Sequence, residues 1–145
     1  MNTSAEQNYV AAYRGNSTSL LRWHHLDEFW ETLKQQSDDW FIYAVGETPP
    51  ENTASKEHLI KFIEEIDVLL HKEHEEDYCG IVYTNNKETP AFIKIIDPNN
   101  LGVSCGFSEN PPLPGWILSK IPPVELGAAL KPPNNRRHWW NKIFD

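Results

Sequence analysis

Apolar side chains recur at three- and four-residue spacing in two stretches of this chain. Leu26, Phe29, Trp30 and Leu33 form one stripe and predict a helix over about 25–36, with Asp27, Glu28 and Glu31 in its early turns, where the helix dipole favours acids. Leu59, Phe62, Ile63, Ile66, Leu69 and Leu70 form the second and clearer stripe, ending near Lys72. Thr53 or Ser55 can cap its start, and Glu57 stands four residues before Lys61 on the opposite side.

Between the two helices, residues 40–45 are continuously apolar and aromatic and end at Gly46, which reads as a strand buried on both faces. Pro49 and Pro50 make the next stretch a loop. Beyond the second helix the pattern changes to strands at 79–84 and 91–96, joined by a polar turn and expected to pair as a hairpin. Residues 97–102 are dense in turn formers, and 103–107 reads as a third strand of the same meander. A further apolar segment at 116–121 is closed by Pro122 and Pro123. Before the first helix, residues 17–19 are turn-like. Residues 1–15 read as a weakly ordered extension in which Tyr9 to Tyr13 can pack as one short element.

These elements predict an α+β fold. Its two layers are a mostly antiparallel sheet of about four to five strands and two main helices packed on it. With 145 residues, 39% of them hydrophobic, the chain fits a single domain with a substantial core. Residues 131–145 are set apart as a basic, aromatic tail. They carry four bases and one acid, net +3, against nine bases and twenty acids, net −11, in the remainder.

Net charge and cysteine count narrow the function. At −8 overall, a nucleic-acid phosphate backbone is not expected as the partner. No apolar stretch approaches bilayer length, and the N-terminus lacks the basic and apolar segments of a secretory signal, so no membrane association and a cytoplasmic address are expected. Two cysteines, Cys79 and Cys105, fit a reducing compartment and are expected to be free and buried.

Candidate chemistry is sparse. His71 and His74 lie three apart at the end of the second helix, with Glu75 and Cys79 following, and imidazole, carboxylate and thiolate are all competent ligands. His24 and His25 could add more. The simpler reading is favourable interaction of histidine with the helix C-terminus beside a solvated acidic run, Glu73 to Asp77. Lys94 interrupts an apolar strand. Its plain reading is a stem lying on the sheet with its head in water; the alternative is a buried lysine of shifted pKa. Asp97, Asn99 and Asn100 lack the closing acid of a calcium loop and read as an Asx-type turn. No phosphate loop, nucleophile elbow, zinc-protease motif or dinucleotide fingerprint occurs.

The sequence therefore points to a non-catalytic binding or regulatory protein with an acidic surface, with no catalytic, metal-ligating or cofactor-binding residue assigned and no cofactor expected. The alternative is a small metal-dependent or thiol enzyme using His71, His74 and Cys79. Arg136, Arg137, Trp139 and Trp140 are the candidates for binding another protein, because Arg and Trp are enriched in binding hot spots. Docking of that tail on its own acidic body is the competing reading.

Overall fold

The computed structural model describes residues 3–99, 114–125 and 143. Along the chain run α1 (Thr3–Arg14), β1 (Thr18–Ser19), α2 (Trp23–Gln35), β2 (Phe41–Ala44), α3 (Lys56–Glu73), β3 (Val82–Thr84), β4 (Phe92–Ile96) and β5 (Pro114–Ser119). The five strands form one open sheet in the order β1-β3-β4-β5-β2, with every pair antiparallel. The fold is α+β, as the alternation of strand and helix patterns predicts. Among the described residues no helix is long and apolar enough to cross a membrane.

Pleating sorts the strand residues onto two faces. Val82, Ile93, Ile95, Trp116, Leu118, Ile42 and Ala44 point to one face and bury the stripes of α2 and α3. This is the main core. Phe92, Ile117 and Tyr43 point to the other face, where Tyr9 of α1 packs on them with Ala12 and Tyr13 beside it. Residues 41–44 are buried throughout, the condition that their unbroken apolar run implied. α1 is the main departure from the sequence reading: residues expected to hold little local order form a helix. Its intrinsic pattern is weak, and burial of Tyr9 on the second sheet face stabilises it.

Local chemistry sets the other boundaries. Ser55, not Thr53, caps α3, its hydroxyl accepting from the His58 N–H at 3.2 Å. The 82–84 and 92–96 strands pair as the expected hairpin, with Val82 opposite Ile95 and Thr84 opposite Ile93. Asn85 holds the returning strand, its side-chain oxygen accepting from the N–H groups of Ala91 and Phe92. The first of these strands is shorter than residues 79–84. Gly80 takes φ +71, and the Cys79 and Gly80 N–H groups turn to the carbonyls of Leu21 and Leu20. Residues 18 and 19, read as a turn, instead pair with Thr84 and Tyr83. The strand expected at 103–107 lies outside the described residues, as do Cys105, Arg136, Arg137, Trp139 and Trp140. Ile143 is described: it is 4% exposed and belongs to the main core.

Candidate functional site

The apolar stripes of α2 and α3 face the sheet, so the polar residues flanking them meet where the two helices run side by side. Helical spacing brings Asp27, Glu31 and Lys34 of α2 to the seam, and Glu64, Asp67 and His71 of α3 to its other side. Between them opens a cleft of about 350 Å³, lined by Asp27, Glu31, Glu64, Asp67 and Lys34 around Trp30 and Ile63. Four carboxylates and one ammonium make it acidic.

Asp67 is the most constrained of these groups. The Trp30 indole N–H donates to its Oδ1 at 3.0 Å. The His71 Nδ1–H donates to the Asp67 backbone carbonyl at 2.9 Å, and Nδ1 lies 3.4 Å from Oδ1. The Trp23 ring stacks on the His71 ring with centroids 4.2 Å apart, and its own N–H donates to the Glu76 carbonyl. With Nδ1 carrying the proton, the lone pair of the neutral imidazole sits on Nε2. One ligand atom from each of Asp27, Asp67 and His71 lies within 4.8 Å of the others, the one such group among the described residues.

The structure divides the trio of His71, His74 and Cys79. His71 joins the two aspartates. His74 is buried, and its Nε2–H donates to the Cys79 carbonyl at 2.9 Å, with Tyr78 edge-on to its ring. The Cys79 side chain is buried and outside any disulfide, and burial pushes its thiol above the ordinary range. An unreactive thiol is what that environment produces. The rings of His24 and His25 pack on each other, centroids 4.2 Å apart.

Lys94 and Asp97 lie in the sheet layer. The Lys94 ammonium is half-buried and donates to the Tyr13 carbonyl at the end of α1, at 3.0 Å, so its head meets protein and not only water. Burial lowers its pKa. Asp97 Oδ1 accepts from the Asn99 N–H at 2.9 Å, the Asx turn that its sequence context indicates. Gly115 packs closely beside it: a Cβ there would stand 3.1 Å from the Asp97 Cβ, so a larger residue would push the two apart by a few tenths of an ångström.

The seam carboxylates escaped the sequence reading because each looks like an ordinary solvated charge next to an apolar stripe. The available signal was the four-residue spacing of Asp67 and His71. Which flank of α2 would face them is a tertiary fact. Comparison with protein-family models, curated proteins and solved structures finds no match to this chain.

Proposed function

We propose that the chain is a non-catalytic binding or regulatory protein that receives a basic group of a partner protein in the α2–α3 cleft. The observation that carries this reading is the convergence of Asp27, Glu31, Glu64 and Asp67 on one concave seam with Lys34 as the base among them. A lysine or arginine side chain suits that shape, its stem against Trp30 and Ile63 and its head among the carboxylates. Exposed ion pairs contribute little individually, about 0–1 kcal/mol, so the field of the cleft would act chiefly on encounter rate and selectivity.

The test is titration of the full chain with a short arginine-rich peptide and with a serine peptide of equal length, at about 20 mM and about 200 mM salt. The arginine peptide should bind selectively and more weakly at the higher salt. Asp27→Asn combined with Glu64→Gln should weaken it further. Equal binding of the two peptides, or no effect of the double substitution, would sink the proposal.

A second reading places a divalent cation on Asp27, Asp67 and His71, favoured by the 4.8 Å grouping of their ligand atoms. A metal-dependent enzyme built on this chain would then take its ligands across the helix seam. Zinc titration separates the readings: saturation at one equivalent, lost in His71→Ala, in a chain that binds the arginine and serine peptides equally, favours the metal.

A further inference from the structure

Among the described residues, α1 covers only part of the sheet face on which it packs. The helix ends at Arg14, and the chain turns away at Gly15, whose N–H donates to the Ala12 carbonyl. Past that end, Tyr83 and Lys94 stand side by side, directly paired across β3 and β4. A cavity of about 560 Å³ lies between them and Tyr13, Arg14 and Gly15, with Pro114 on its far wall. That size is within the roughly 300–1,000 Å³ range of small-molecule sites.

The charges at this cavity are both positive. One Lys94 N–H is used on the Tyr13 carbonyl, and the ammonium lies 5.0 Å from the Tyr13 ring centroid. Two donors remain. Exposed Arg14 stands at the rim. Among the described residues, neither side chain pairs with a carboxylate; the ion pairs found there are Lys34–Glu31 and His71–Asp67. The chain has 21 acids against 13 bases, so a carboxylate could readily have been placed beside a half-buried lysine. Partly desolvated cations are normally compensated by a partner. The depressed pKa of Lys94, caused by burial, agrees with an ammonium that has no carboxylate partner among the described residues.

We propose that this cavity binds a small organic anion. Its carboxylate or phosphate head would meet the Lys94 Nζ and Arg14, and a flat apolar body would lie against Tyr13 and Tyr83. The inference is independent of the acidic cleft, which belongs to the opposite layer. It assigns Lys94 a ligand contact in addition to its bond to the end of α1.

Calorimetric titration of the full chain with benzoate, phenyl phosphate and neutral benzamide tests it. At least one of the two anions should bind saturably and benzamide should not; which anion binds more tightly identifies the head group. Lys94→Met keeps the stem and removes the charge, and should weaken binding about tenfold or more, the loss expected for a charge-assisted hydrogen bond. Lys94→Arg should restore much of it. If Lys94→Met unfolds, Arg14→Gln at the exposed helix end supplies the comparison and should also weaken binding. Binding of benzamide equal to that of the anions, no saturable binding of either anion, or unchanged affinity in the folded charge-removing variants would each overturn the proposal.

Discussion

Tyr9 shows how one side chain can both hold an element and limit it. It is 0% exposed, packs against Phe92 with ring centroids 5.4 Å apart, and anchors α1 to the sheet. Its hydroxyl has no hydrogen-bond partner among the described residues. Burial, then the nearby Tyr43 and Tyr13 phenols, push its pKa well above the ordinary 10.0. Tyr9→Phe keeps the ring and removes the uncompensated hydroxyl, so stability at neutral pH should be unchanged or rise by about 1 kcal/mol in urea denaturation. The pH dependence follows from the direction of each shift. Tyr9 and Cys79 have raised folded pKa values, so their contributions are fully present below 10.0 and 9.0 and are lost as pH rises above those values. Lys94 has a lowered pKa; its penalty is full below the folded value and is relieved as pH rises toward 10.5. The Cys79 loss and the Lys94 relief oppose each other between about pH 9 and 10.5, so the net fall should be clear above about pH 10.5, by up to about 1.4 kcal/mol per pH unit for each raised group. Tyr9→Phe should flatten the fall and Lys94→Met should steepen it, both read from urea midpoints across a pH series.

At the scale of elements, α3 is the organising helix. Its six buried residues lie under one sheet face, and its polar flank supplies Glu64 and Asp67 to the cleft, with His71 one turn beyond beside Asp67. The cap at Ser55 closes its first turn. Ser55→Ala should lower stability by about 1 kcal/mol without changing the fold, seen as a shifted denaturation midpoint at constant slope. Glu64 and Asp67 lie two or more turns beyond the cap, so loosening the first turn of α3 should leave arginine-peptide affinity nearly unchanged. The α2–α3 pair was legible because each helix carries its own stripe. The extent of β3 was not, since Gly80 and the carbonyls of Leu20 and Leu21 end the strand through contacts from a distant part of the chain.

At the scale of the whole molecule, the two cavities described on either side of the sheet carry opposite charge. The α2–α3 seam concentrates carboxylates, and the end of α1 concentrates cations. Ile143 reaches the main core from near the C-terminal end of the sequence. Ile143→Ala should cost about 2–5 kcal/mol of global stability, the usual range for a buried isoleucine truncation, measured as a cooperative shift of the whole transition. A loss below about 0.5 kcal/mol, the size expected of an exposed site, would show that the residue does not share the core.

The α+β class, the two main helices, the buried strand at 41–44 and the hairpin after α3 follow from periodicity and turn chemistry, which are local properties that a linear pattern records. Burial of Cys79 follows equally from its apolar neighbourhood. Tertiary structure alone decided the rest. α1 forms because the second sheet face is there to bury Tyr9. His71 faces Asp27 and Asp67 instead of His74 and Cys79 because α2 lies along that flank of α3, while the His74 ring turns to the Cys79 carbonyl. Lys94 meets the end of α1 because an 81-residue separation in sequence closes to 3.0 Å in space. Local sequence sets which residues are apolar, where the chain turns and which charges meet within one helix, as Asp67 and His71 do at four-residue spacing; which charged side chains of different elements face one another depends on packing, and no spacing along the chain encodes it directly.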